Sequence, residues 1–149
     1  MYYGIIKDNK ISGCTQCEVN GAGIFSVPLT AEQYNNIEKY MWDGEKIVLN
    51  VNYEKEKEQE RVGNLQVTKR VFALGLQQLG ITYSQLKELI ATNEQAQLEW
   101  DLCVELQRKN PLLDIMAAQL EVSSEMLDYI FRRANGENVN PPETEETKE

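Results

Sequence analysis

The sequence predicts an α+β chain: a small N-terminal antiparallel β-sheet with one helix, then an all-α bundle of helical hairpins, then a disordered acidic tail. Two changes in pattern carry this. Apolar residues alternate at a period of two around Ile47, Leu49, Val51 and Tyr53, then recur every three or four residues from Leu65 onward, and almost vanish after Gly136. The expected divisions are residues 1–56 for the α+β domain, 57–64 for a charged linker, 65–136 for about five helices, and 137–149 for the tail.

Residues 2–7 and 14–19 read as strands joined across Asp8-Asn9-Lys10, because Asp and Asn tolerate the left-handed backbone of a tight turn. A third strand follows at residues 23–27 and stops at Pro28. Thr30 then caps a helix expected to run to Trp42, with Gly44 as its stop and Tyr34, Ile37, Tyr40 and Met41 as its apolar stripe. A half-buried strand covers residues 47–53. Glu54-Lys55-Glu56-Lys57-Glu58-Gln59-Glu60-Arg61 has no apolar member and reads as a solvated linker or the exposed start of a helix.

In the second half, Val67, Val71 and Leu74 share a face of a helix over residues 65–79 that Gly80 ends. Thr82 caps the next helix, and Asn93 precedes another in which Leu98, Leu102 and Leu106 recur every four residues and are expected to take the core. Glu99, Asp101 and Glu105 are then left to its wet surface. Asn110-Pro111 starts a fourth helix, since proline suits the first helical turn, and Ser123 or Ser124 caps a fifth ending at Asn135-Gly136.

Leu79-Gly80-Ile81-Thr82 returns as Leu120-Glu121-Val122-Ser123. Each copy reads as helix, tight turn and capped second helix, a phrase shared by DNA-binding helix-turn-helix units and plain helical hairpins. A reader of bases presents Arg, Lys, Asn or Gln from the first turns of its second helix, with cations nearby for phosphates. The second copy instead presents Glu125 and Asp128, with Arg132 and Arg133 only at its far end. Packing is therefore the expected role.

Net charge is −9, of which −3 lies in residues 1–63, −2 in 64–136 and −4 in 137–149. That balance offers no basic field for nucleic acid. The longest apolar runs fall well short of the roughly 20 residues a spanning helix needs. Residues 2–8 lack the basic-then-apolar pattern of a leader, so a cytoplasmic site of synthesis is expected. With no histidine, Ser-His and Cys-His catalysis are excluded. Cys14 and Cys17 have the spacing of half a zinc site, but a closed site takes four ligands and Cys103 is the one other thiol. Two ordinary thiols are expected, with redox chemistry or an intersubunit metal as alternatives, and no cofactor.

The opening Met1-Tyr2-Tyr3-Gly4-Ile5-Ile6-Lys7-Asp8-Asn9-Lys10-Ile11, followed by Val27-Pro28-Leu29-Thr30-Ala31-Glu32-Gln33-Tyr34-Asn35-Asn36-Ile37, resembles the start of small proteins encoded beside tail-fibre genes in phages and prophages, and the stretch from Trp100 to Phe131, especially Asn110-Pro111-Leu112 and Leu120-Glu121-Val122-Ser123, is similar to a helical segment of other phage accessory proteins. The resemblance implies a non-catalytic role in the tail or its assembly, in the host cytoplasm or the virion, with tail-fibre or baseplate subunits as protein partners. It transfers no functional residue. The alternatives are a helix-turn-helix regulator or acidic anti-regulator, and a general cytosolic adapter. Trp42, Tyr53, Arg132 and Arg133 are the candidate interaction residues, and the small β-unit suggests a homo-oligomer.

Overall fold

The computed structural model describes residues 1–143. The chain divides after Glu56 into two compact units.

The first unit holds a four-stranded antiparallel sheet of β1 (Tyr2–Lys7), β2 (Lys10–Thr15), β3 (Asn20–Gly21) and β4 (Ile24–Leu29), in the order β2-β1-β4-β3. Asp8 and Asn9 take φ of 50° and 60°, so a tight turn forms between Lys7 and Lys10, and the second strand starts at Lys10 and ends at Thr15 where residues 14–19 were expected. Pro28 does not end β4 but continues it opposite Tyr3. A missing N–H is harmless there because β3 flanks β4 only at Ile24 and Phe25, leaving Pro28 on an open edge.

Thr30 caps α1 (Ala31–Asn35) through a reciprocal box: Gln33 N donates to Thr30 Oγ1 at 3.1 Å and Thr30 N to Gln33 Oε1 at 2.9 Å. The helix brings Tyr34 onto Tyr2, ring centroids 4.3 Å apart and stacked. Ile6 and Leu29 are buried. A Cβ on Gly4 would lie 3.1 Å from Ile47 Cδ1, so glycine lets that isoleucine settle close on β1.

The helix expected to reach Trp42 stops at Asn35. After a single 3-10 turn over Ile37–Lys39, Tyr40–Trp42 forms β5 and pairs with β6 (Ile47–Leu49). The turn between them explains the difference: Asp43 Oδ1 accepts from Glu45 N at 2.9 Å and Lys46 N at 2.8 Å, while Gly44 takes φ of +107°. Gly44 thus closes a hairpin and not a helix. Strand β6 ends at Leu49, leaving Val51 exposed, and Tyr53 opens α2 (Tyr53–Gly63). Of the two readings of the charged run, linker or exposed start of a helix, the second holds, as its Glu, Lys, Gln and Arg residues favour intrinsically.

The second unit is not all-α. Between its helices α3 (Lys69–Gln78), α4 (Tyr83–Ala91), α5 (Glu94–Leu102), α6 (Pro111–Gln119) and α7 (Ser124–Ala134), it carries a two-stranded antiparallel ribbon of β7 (Gln66–Thr68) and β8 (Glu105–Gln107). The helix expected from residue 65 starts at Lys69, where Thr68 Oγ1 accepts from Val71 N at 3.3 Å. Val67 and Leu106, directly opposite in the ribbon, both face the core. That core joins Phe72 and Leu76 of α3, Leu86 and Ile90 of α4, Leu113 of α6, and Leu127, Ile130 and Phe131 of α7. Burial of each such side chain contributes about 1.5–3 kcal/mol.

The repeated phrase is repeated in hydrogen bonds. Ile81 N donates to Leu76 O at 3.1 Å and Val122 N to Ala117 O at 2.8 Å; Gly80 N donates to Gln77 O and Glu121 N to Ala118 O. Gly80 and Glu121 both have positive φ, at 85° and 58°. Thr82 and Ser123 then accept from Gln85 N and Met126 N, as the hydroxyl caps require.

The tail expected from residue 137 begins in order. Glu137 Oε1 accepts from Arg61 Nη1 at 2.6 Å and its Oε2 from Arg132 Nε at 2.7 Å, while Val139 and Pro142 are half-buried. The rest of that expectation, residues 144–149, lies outside the described residues.

Candidate interaction surfaces

Cys14 lies in β2, half-buried, with its thiol pKa raised by desolvation, and Cys17 is exposed beyond the strand. Both are free thiols, and among the described residues no group of three His, Cys, Asp or Glu could hold a metal. Trp42 is half-buried, its ring edge-on to Phe25 at 5.7 Å, and so belongs to the packing of the first unit. Tyr53 is half-buried as the first residue of α2.

Arg132 is committed inside the second unit. Its Nε donates to Glu137 at 2.7 Å and its Nη2 lies 3.9 Å from Glu58 Oε1, while Arg61 bridges the same two carboxylates at 2.6 Å and 2.8 Å. Hydrogen bonds from Arg61 and then Arg132 hold the Glu137 carboxyl down to about 2, and the Arg61 bond lowers Glu58 as well. Arg133 is exposed and its Nη1 reaches Glu137 O at 3.4 Å. The network clamps α2 to the end of α7.

The second helix of the later repeat is also used internally. Arg108, only 6% exposed, donates through Nε to Asp128 Oδ1 at 2.6 Å, through Nη1 to Asp114 Oδ2 at 3.2 Å, and through Nη2 to Ser124 Oγ at 2.6 Å. Nothing in the local sequence marks Arg108 as buried. Its position directly after β8 takes it inward, with its own N–H bonded to Leu65 O at 2.9 Å.

The leucine stripe expected in the core does not hold. Helix α5 ends at Leu102, with Cys103 turning into extended backbone, so Leu106 reaches the core from β8 while Leu98 and Leu102 face solvent at 58% and 74% exposure. Val104 joins them at 79%. Leu98 and Leu102 line a shallow hollow of about 350 Å³ with Cys103, Leu106 and Asn110. The expected acidic face is divided too: Glu105 lies on β8, and Glu99 Oε2 accepts from Asn110 Nδ2 at 2.6 Å. The alternation of Val104, Glu105 and Leu106 just before Asn110-Pro111 is the signal in the sequence that a strand intervenes.

On another side of α5, Trp100 forms a wall of a cleft of about 420 Å³, lined also by Lys69, Arg70, Ala73, Leu74 and Gln77 of α3 and by Tyr83 of α4. Lys69 Nζ donates to Trp100 O at 2.6 Å and stands 5.7 Å from the centre of the indole ring. A third hollow, of about 900 Å³, lies where the two repeated turns come together. Leu79 and Ile81 line it with Leu120 and Val122, and Pro142 and Glu143 add to its lining.

Among the described residues, no helix is long and apolar enough to cross a membrane. No family model, curated protein or solved structure matches the chain.

Proposed function

We propose that this chain is a non-catalytic interaction protein that docks on structural subunits of a phage tail, fibre or baseplate, either in the particle or during its assembly. The single observation that supports docking is the pair Leu98 and Leu102, both solvent-facing and lining one hollow. Scattered exposed leucines are ordinary, whereas two that share one hollow mark a candidate contact surface. The tail as its setting comes from the resemblance of residues 1–11 and 27–37, and the stretch from Trp100 to Phe131 adds a likeness to other phage accessory proteins.

The regulator alternative would place the second helix of each repeat against a duplex. Against it stand Ser124 and Asp128, already engaged with Arg108, and the outward carboxylates Glu88 and Glu125, which would meet phosphates. A general adapter differs from a tail protein only in its partner.

Binding of purified tail-fibre and baseplate subunits from the neighbouring genes to the immobilised full chain tests the proposal. Retention of one subunit by the wild type, and its loss in the Leu98→Ser/Leu102→Ser double variant, is the expected result. If none is retained, or the double variant retains it equally, the proposal is wrong. Salt-dependent binding to duplex DNA would restore the regulator.

A further inference from the structure

We infer that the cleft at Trp100 is a second contact site, accepting an aromatic or aliphatic side chain flanked by carboxylates on a peptide segment of a partner. The inference rests on the reading of the chain as an interaction protein but concerns a separate surface. Leu98 and Leu102 each stand two residues from Trp100 on α5, and residues two apart on a helix point to different sides.

The cleft combines two kinds of group. Ala73 and Leu74 give it an apolar lining, which Tyr83 and Trp100 extend with aromatic side chains. Lys69 ties the Trp100 backbone to α3 and sits over the indole, so that wall is held before any ligand arrives. Arg70 is exposed and, among the described residues, has no hydrogen-bond or ion-pair partner. Elsewhere in this unit Arg61, Arg108 and Arg132 all meet carboxylates.

Among the described residues no carboxylate lines the cleft, although the chain carries 24 acidic residues against 15 basic ones. Charge complementarity therefore selects an acidic segment. A free guanidinium offers a carboxylate two parallel N–H donors, and the rings beside it suit an apolar side chain in between. Nucleic-acid phosphates would also be drawn to Lys69 and Arg70, but the net charge of −9 repels a polyanion that must cover more than one cleft.

The test is a titration of the isotope-labelled full chain, followed through the Trp100 indole N–H signal. The probes are the peptide acetyl-Glu-Glu-Phe-Leu-Glu-Glu-amide, its charge-reversed counterpart acetyl-Lys-Lys-Phe-Leu-Lys-Lys-amide, and oligothymidylate. The acidic peptide should shift the signal saturably, and Arg70→Glu should weaken it about tenfold or more, the loss expected when one charge-assisted hydrogen bond is removed. Leu98→Ser should leave it unchanged. Arg70 is exposed, so the variant should keep the wild-type spectrum away from the cleft; should it not, Arg70→Gln carries the same comparison. The inference is overturned if the acidic peptide leaves Trp100 unmoved, if the lysine peptide binds as well, or if oligothymidylate binds there more tightly. A silent cleft with tail subunits still captured through Leu98 and Leu102 would reject this site alone, leaving the docking proposal standing.

Discussion

A Cβ placed on Gly75 would stand 2.7 Å from Cγ2 of Ile130, closer than carbon atoms in folded proteins approach. Glycine in the middle of α3 is what lets α7 come this near. Ile130 is buried, and its branched Cβ leaves that methyl group little freedom to swing aside.

Gly75→Ala therefore sets two effects against each other. Alanine gains about 0.5–1 kcal/mol of helix preference over glycine. Forcing a methyl group into a filled core costs about 1–3 kcal/mol. The expected net is a loss of about 1 kcal/mol, read as a lower denaturant midpoint, and the double variant Gly75→Ala/Ile130→Val should not recover it, because valine keeps Cγ2.

The paired turns make opposite predictions for equivalent positions. A non-glycine residue in the left-handed region costs about 1–2 kcal/mol, and Glu121 carries that cost while Gly80 avoids it. Glu121→Gly should raise stability by about 1 kcal/mol, and Gly80→Ala should lower it by a similar amount. Thermal melts of the two variants check both signs at once, and a destabilised Glu121→Gly would contradict the equivalence of the turns.

Arg108 is buried, but Asp114 and Asp128 keep 47% and 42% of their side-chain surface exposed. After its loss water can serve the acids, so Arg108→Met should cost less than the 3–5 kcal/mol of breaking a fully buried pair yet more than the roughly 0–1 kcal/mol of a surface pair. We expect about 2 kcal/mol in urea unfolding. Arg108→Lys should recover little, since an ammonium lacks the planar fork that reaches Asp128, Asp114 and Ser124 together.

Glu137 gives the protein a pH dependence of known sign. Its folded pKa, about 2, lies below the ordinary glutamate value of about 4.3 that it regains on unfolding. The ion pairs with Arg61 and Arg132 are therefore fully in place above that unfolded value, and their contribution falls away as pH drops from about 4.3 toward 2. Glu137→Gln should flatten the stability profile in this window while leaving the profile above pH 6 parallel to wild type. Because Arg61 is 45% exposed, added salt should shrink the difference; a difference that grows with salt would contradict the ion-pair account.

Asp8-Asn9, Thr30, Thr82, Asn93, Asn110-Pro111 and Ser123 could all be read from the sequence, and each does in the fold what its chemistry predicts. Their partners lie within a few residues, so local identity is enough to specify a turn or a cap. The doubled phrase was equally visible, down to its matching turns. What the tertiary structure alone decided involves partners distant in sequence. Val67 and Leu106 formed a ribbon that broke the leucine stripe, turning Leu98 and Leu102 from expected core into exposed surface. Arg108 went inward because α6 and α7 bring Asp114, Ser124 and Asp128 around it. Arg70 and Trp100, 30 residues apart, meet at one cleft only once α3, α4 and α5 have folded together. Local chemistry specifies where elements begin and turn. Burial and exposure, and with them the candidate contact surfaces, depend on which distant segments compete for the same core.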